Sequence, residues 1–261
     1  MAKNFESTLV KGVFNVKQLS FLFGGIFLNF LGAAAALWAG AQLNLEVLLW
    51  GQIAITCIQL MTHYSNDYFD LAADEANQTP TRWSGGSRIL PEKRINPRTA
   101  LAAAVATGVL ALFATFWLAL ILETGTLTIP LLLLSMVLAW GYSSPPLELN
   151  SRGLGEIGGA VIITGLTPLT GYYLQASSLS LLPFLTIVPL CCLQFAMLLV
   201  INFPDAAGDK AAGKRTLVVL LGPNKAARLY LPALLFAYGS LPLLVLAGLP
   251  AAVALAVLIP S

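Results

Sequence analysis

Asn66-Asp67-Tyr68-Phe69-Asp70-Leu71-Ala72-Ala73-Asp74 closes an apolar run of about 20 residues, the length at which a helix crosses a bilayer. Continued as a helix, the stretch sets Asp67, Asp70 and Asp74 at intervals of three and four. Asn66 and the single histidine, His63, then share their face. Three carboxylates on one stripe repel each other and are costly to desolvate unless a cation neutralises them. Oxygen-only ligands of this kind suit a hard dication, Mg²⁺ above all.

A second group answers the first. Asn202, Asp205 and Asp209 sit near the end of another apolar run. Asp70 and Asp74 repeat as Asp205 and Asp209 at an offset of 135 positions, and Asp67 repeats as Asn202. Such repetition is expected of a duplicated helical bundle with a site between its halves.

Composition says what surrounds these groups. The 261 residues are 57% hydrophobic and 10% charged, with mean hydropathy +0.81, where soluble domains carry roughly a quarter charged residues. The chain therefore reads as all-α, one polytopic membrane bundle over 1–261 with no part able to fold alone in water. The net charge of +2 says little by itself, and no nucleic-acid partner is expected. Residues 1–18 carry Lys3, Lys11 and Lys17 without a short apolar core or a small-residue cleavage site, and read as a cytoplasmic arm. Cys57, Cys191 and Cys192 stand in apolar runs without metal or redox spacing and read as buried free thiols.

Hydropathy places spans near 19–41, 45–65, 98–122, 127–143, 154–175, 180–202, 226–247 and 249–261, the last too short to cross. All 14 Lys and Arg fall in four places: the N-terminal arm, then Arg82 to Arg98 after span two, Arg152 after span four, and Lys210 to Arg228 after span six. The alternate connections hold none, which puts the N-terminus and both acidic groups on the cytoplasmic face.

The cytoplasmic connection 75–97 is long, and long connections tend to be functional. It holds Ser84-Gly85-Gly86-Ser87 between Arg82 and Arg88, where backbone N–H groups and arginines would meet an anion. Asn96-Pro97 reads as the cap and first turn of span three. Gly153-x-Gly155-x-x-Gly158 matches a dinucleotide fingerprint in form only, since no βαβ unit surrounds it. Residues 217–222 are expected to lie at the membrane interface. His63 reads first as a packing or hydrogen-bonding group and second as a base.

Acidic and basic groups at the mouth of an apolar bundle suit a pyrophosphate head with a greasy tail. Mg²⁺ on the carboxylates and direct Lys/Arg contacts would stabilise pyrophosphate as a leaving group. If the tail is allylic, its departure leaves a carbocation that an electron-rich ring captures. Tyr68, Phe69 and Tyr142 are the aromatic side chains placed to shelter it.

Asn-Asp-x-x-Asp-x-x-x-Asp at 66–74, with Asp-x-x-x-Asp at 205–209, resembles the UbiA-type intramembrane prenyltransferase superfamily. Within it, three stretches resemble the 1,4-dihydroxy-2-naphthoate polyprenyltransferases of menaquinone synthesis. They are Ser84 to Ser87, Tyr142 to Glu156 with its Gly-Leu-Gly-Glu, and Asp205 to Thr216 with Ala212-Gly213-Lys214-Arg215-Thr216. The resemblance implies nine membrane helices ringing a central cavity capped on the cytoplasmic side of a bacterial or archaeal cell membrane. It implies Asn66, Asp67, Asp70, Asp205 and Asp209 as ligands of the Mg²⁺–diphosphate complex, with Asp74 and Asn202 close by. Lys214, Arg215, Arg88 and Tyr142 would touch phosphate, and Asp67, Asp70, Asp205, Asp209 and Lys214 would form the catalytic set. The substrates implied are a polyprenyl diphosphate and a small aromatic acceptor, whose ring carboxylate is lost in the naphthoate subfamily.

Two features depart from the pattern. Relatives often carry Asn-Asn-x-Arg-Asp where this chain has Asn202-Phe203-Pro204-Asp205, so the arginine is absent and Pro204 is expected to kink the helix. Against nine helices the chain stops about one and a half short, so an incomplete last span is expected. Other acceptors fit the same chemistry: 4-hydroxybenzoate, a chlorophyll precursor or a glyceryl lipid. From another class, an ion-coupled transporter would need its acids near the bilayer centre, not at helix ends on one face.

Overall fold

The computed structural model describes residues 16–81 and 83–249, with Ala251 and Ala254. Arg82, most of the N-terminal arm with Lys3 and Lys11, and nearly all of the expected last span 249–261 lie outside the described residues. The described chain is helical, in the order α1 Val16–Trp38, α2 Leu45–Phe69, α3 Leu71–Ala76, α4 Pro97–Phe116, α5 Thr128–Gly141, α6 Gly155–Ala160, α7 Thr167–Ala176, α8 Leu181–Ala211, α9 Leu217–Leu221, α10 Pro223–Ala227, α11 Tyr230–Gly239 and α12 Leu241–Leu246. Wider π-helical turns extend α4 over Trp117–Ile121 and join α6 to α7 over Val161–Leu166.

Six helical stretches are long and apolar enough to cross a membrane, and Thr128–Gly141 is a shorter apolar helix. The helices run past two of the expected ends: span 45–65 continues to Phe69, and span 180–202 continues to Ala211. Hydropathy falls where polar side chains begin, but the backbone hydrogen bonds do not stop there. At about 1.5 Å per residue, α8 reaches about 46 Å, well beyond a hydrocarbon core of about 30 Å. The excess carries Asp205 and Asp209.

Small residues set the spacing of the bundle, because lipid supplies no hydrophobic drive for helices to associate. Ala100, Ala104, Gly108, Ala111 and Ala114 are buried along α4. A Cβ on Gly108 would meet Met61 Sδ of α2 at 3.1 Å. α1 lies against α7 more tightly still, since a Cβ on Gly32 would come 2.0 Å from the Pro168 carbonyl oxygen. Val47, Ile58, Met61, Leu118 and Leu132 belong to one apolar cluster spanning α2, the end of α4 and α5. Outward faces expose Phe27, Leu49, Leu235 and Leu246, the residue types lipid tails accept.

The helix expected to continue through Asp74 is interrupted: α2 ends at Phe69, and Asp70 sits at the junction with φ −91° and ψ 4°. Backbone hydrogen bonds from Asp70 N to Asn66 O and from Asp74 N to Asp70 O, both 2.9 Å, keep the four-residue spacing across the joint. The acids therefore stay on one side. α8 runs through Pro204 as one helix, and the Pro204 carbonyl accepts a hydrogen bond from Thr79 Oγ1 at 3.1 Å. Asn96 caps α4 as expected, accepting from Arg98 N at 2.9 Å with Pro97 in the first turn.

Candidate active site between two acidic helix ends

The two acidic segments meet. A cavity of about 220 Å³ is lined by Asn66, Asp67, Asp70 and Asp74 from one side and by Asn202, Asp205 and Asp209 from the other. Lys214, Tyr142 and the loop Ser84–Ser87 close its polar end, and Ile162, Ile163, Leu198 and Ile201 form an apolar wall.

Asp70 is the hub. Its Oδ2 accepts from Lys214 Nζ at 2.8 Å, Asn66 Nδ2 at 2.7 Å and Asn150 Nδ2 at 2.9 Å. Lys214 Nζ also stands 3.7 Å from Asp209 Oδ1. Burial alone would pull the Lys214 ammonium down, but the Asp70 and Asp209 carboxylates outweigh it and hold the group above the ordinary lysine range. Burial, and next the charge of Asp70, pushes the Asp74 carboxyl up to about 7. Burial pushes the Tyr142 phenol up to about 12, so it stays a neutral donor.

The glycine loop lies directly on the acids. Gly85 N donates to Asp205 Oδ2 at 2.8 Å, and Asn77 Nδ2 donates to Asp205 Oδ1 at 2.7 Å. Gly85 and Gly86 both have positive φ, and a Cβ on Gly86 would come 2.0 Å from Asp74 Oδ2. No side chain larger than hydrogen fits there without moving Asp74.

Whether a hard cation suits this site is a matter of donors. They are oxygens throughout, and Asp209 Oδ2 is buried with no hydrogen-bond partner among the described residues. That is the condition a dication relieves. Among the described residues no three His, Cys, Asp or Glu side chains form a ready-made metal cluster. The chain's own amides and Lys214 hold Asp70 and Asp205 instead.

Not every expected residue reaches the cavity. Arg88 donates Nη1 to the Asp74 carbonyl and is not among the lining side chains. Arg215 lies in an outer pocket with Arg152, on the far side of Asp70 and Lys214. Of the aromatic candidates, Tyr142 lines the cavity, whereas Phe69 sits edge-on between Tyr68 and Trp140, with ring centroids 5.1 and 6.1 Å away. Tyr68 and Phe69 belong to the other side of α2. His63 lines the cavity with its ring 5.5 Å from that of Phe21.

The structure adds residues that motif spacing did not single out. Asn150, buried in the turn Leu149–Ser151, reaches Asp70, and Ser143 Oγ accepts from Asn66 at 2.7 Å. Glu156 is 0% exposed. Its Oε1 accepts from Asn202 Nδ2 at 2.9 Å and Leu217 N at 3.0 Å, tying α8 to the start of α9. A signal for Glu156 existed in the sequence: an acid opening an apolar span is costly and needs partners.

Residues 26–261 match the UbiA prenyltransferase family. The chain is 25% identical over 220 residues to the 1,4-dihydroxy-2-naphthoate octaprenyltransferase of Bacillus subtilis, covering 80% of this chain and 65% of the relative. It is 27% identical over 239 residues to the digeranylgeranylglyceryl phosphate synthase of Natronomonas pharaonis, covering 90% and 77%. The chain thus spans less than two thirds of the Bacillus relative. Among solved structures, a UbiA homolog from Archaeoglobus fulgidus bound to GPP and Mg²⁺ superposes with TM-score 0.67 at 16% identity, over 92% of this chain and 81% of that one. The apo UbiA homolog from Aeropyrum pernix K1 gives 0.70 at 18%, over 87% and 80%. At those identities the superpositions speak to the fold. The family match runs over nearly the whole sequence and includes both acidic segments, so this chain belongs to the UbiA prenyltransferase family.

Proposed function

We propose that the chain is a Mg²⁺-dependent prenyltransferase that moves a polyprenyl group from its diphosphate to an aromatic ring, with 1,4-dihydroxy-2-naphthoate the favoured ring. The observation that carries this reading is the meeting of both acidic helix ends and Lys214 in one cavity with an apolar wall. Asn66, Asp67, Asp70, Asp205 and Asp209 would hold the metal. When bound, Mg²⁺ offsets the charge of the diphosphate and eases its departure.

The chain's own groups account for the rest. Lys214, held protonated, donates to diphosphate oxygens, turning from Asp70 to do so. Tyr142, held neutral, is a second donor at the same end. The C1–O bond breaks and its electron pair leaves with the diphosphate. Ile162, Ile163, Leu198 and Ile201 keep water from the allylic cation until ring π electrons form the new C–C bond. The ring then loses a proton, or its carboxylate as CO₂. The Lys/Arg distribution favours a site facing the cytoplasm. Transfer to a glyceryl-lipid hydroxyl is the second reading, supported by the Natronomonas relative.

The test is purified protein in liposomes with geranylgeranyl diphosphate, Mg²⁺ and three acceptors: 1,4-dihydroxy-2-naphthoate, 4-hydroxybenzoate and geranylgeranylglyceryl phosphate. Asp70→Ala and Asp205→Ala are each expected to insert normally and lose transfer. Full transfer by either variant defeats the reading.

A further inference from the structure

A second chamber of about 90 Å³ adjoins the acidic cavity and shares Phe21, Thr62, His63, Ile162 and Ile163 with it. Ile55, Ile58 and Leu132 make it largely apolar, yet besides the shared Thr62 and His63 four polar side chains line it. Two of these are spent on the backbone: Ser135 Oγ donates to Leu131 O at 2.8 Å, and Thr167 Oγ1 to Ile162 O at 3.4 Å. The other two are not. Thr170 is 2% exposed, and its Oγ1 has no partner among the described residues. Gln59 Oε1 is likewise buried and unpartnered.

The Gln59 amide is oriented by the chain. Its Nε2 donates to the Phe21 carbonyl at 3.1 Å, which leaves the oxygen as the open end. α1 also makes room for it, because a Cβ on Gly25 would come 2.2 Å from that amide. Two helices thus cooperate to keep a hydrogen-bond acceptor at the wall of an otherwise greasy chamber. A hydrocarbon tail placed here would leave both oxygens desolvated and unpaired.

We infer that this inner chamber is the subsite for the ring substrate, with Gln59 Oε1 and Thr170 Oγ1 binding its ring hydroxyl. The inference rests on the transferase reading above and deepens it. Gln59 Oε1 only accepts, so its ligand must bring an O–H or N–H, and Thr170 can meet the same hydroxyl as donor or acceptor. Among the described residues no Lys or Arg lines the chamber, so a carboxylate on the ring stays toward Lys214 and the hydroxylated edge enters. The prenyl tail then follows the Leu198 and Ile201 wall. Thr62 and His63, common to both cavities, mark where ring and prenyl C1 meet.

The experiment measures binding of 1-naphthol and of naphthalene to the metal-free protein in nanodiscs, against empty nanodiscs. Gln59→Met and Thr170→Val are each expected to weaken 1-naphthol about tenfold, the value of one hydrogen bond, and to leave naphthalene unchanged. Thr170→Ser, which keeps the hydroxyl, is expected to bind 1-naphthol like wild type. Undiminished 1-naphthol binding, or equal losses for both probes, overturns the assignment. In turnover the KM of the ring substrate should rise while that of the prenyl diphosphate holds, and the opposite split makes the chamber a tail site and overturns it too. If wild type transfers to no acceptor, the transferase reading fails while the binding data still decide the chamber. If wild type transfers and binding is unmoved, the chamber assignment fails alone.

Discussion

Replacing Lys214 by methionine removes the one Lys or Arg among the described residues that line the acidic cavity. The ammonium is well enclosed: side-chain exposure is 17% for Lys214, 9% for Asp70 and 5% for Asp209, so solvent screens their interaction little. Removing one partner of a buried ion pair costs about 3–5 kcal/mol, because the charge left behind stays desolvated. Asn66 and Asn150 would still donate to Asp70, which places the expected loss near the lower end, about 3 kcal/mol. Equilibrium unfolding of the metal-free protein in mixed micelles at pH 8 reads this directly. The sign of the pH effect follows from the direction of the shift. A lysine raised in the folded state contributes stability that is whole below its ordinary value and is lost only as pH climbs through the higher one. Lys214 charge is therefore constant from pH 5 to 8. Mg²⁺ at pH 8 should close the gap between wild type and Lys214→Met, because it offsets the stranded carboxylate charge in the ammonium's place. Equal stability at pH 8, or a gap that ignores Mg²⁺, would refute the electrostatic account of the cavity.

Asp74 predicts a pH slope of its own. Its carboxyl rises from 3.8 to about 7 on folding, so its stabilising contribution is complete below 3.8 and disappears as pH rises through about 7. In EDTA, unfolding midpoints should fall between pH 5 and 8, and Asp74→Asn should flatten the slope; an unchanged slope in the variant counts against the shift. Glu156 separates shape from charge. Glu156→Gln keeps an oxygen for Asn202 and Leu217 N and should retain stability, whereas Glu156→Leu strands both donors at about 1–3 kcal/mol each. Unfolding curves of the two variants check this, and equal stability would remove Glu156 as a tie between α8 and α9.

How much of this was legible in the chain differs from residue to residue. The apolar runs, the Asn96-Pro97 cap and the two acidic segments are local patterns, and the backbone follows them because hydrogen bonding and hydropathy act over a few residues. The 135-residue repetition implied two matched stripes, and both do line one cavity. They are not built alike, however. Asp70 sits at a joint between two helices, whereas Asp205 and Asp209 stay within one.

The charge of Arg88 and Arg215 was plain in the sequence, but not which side of the Asp70–Lys214 pair each would occupy. That depends on how the loops fold back over the helix ends. Nor could spacing show that Asn77 and Asn150 hold Asp205 and Asp70 in place, or that Ser143 holds the Asn66 amide, since these partners lie 77 to 128 positions apart. The sequence by itself determined that the chain is a membrane bundle with two acidic helix ends, because composition and periodicity are sums over neighbours. Only the tertiary structure decided which oxygens are satisfied and which, like Asp209 Oδ2, Gln59 Oε1 and Thr170 Oγ1, have no partner among the described residues, because satisfaction depends on residues brought together from distant parts of the chain.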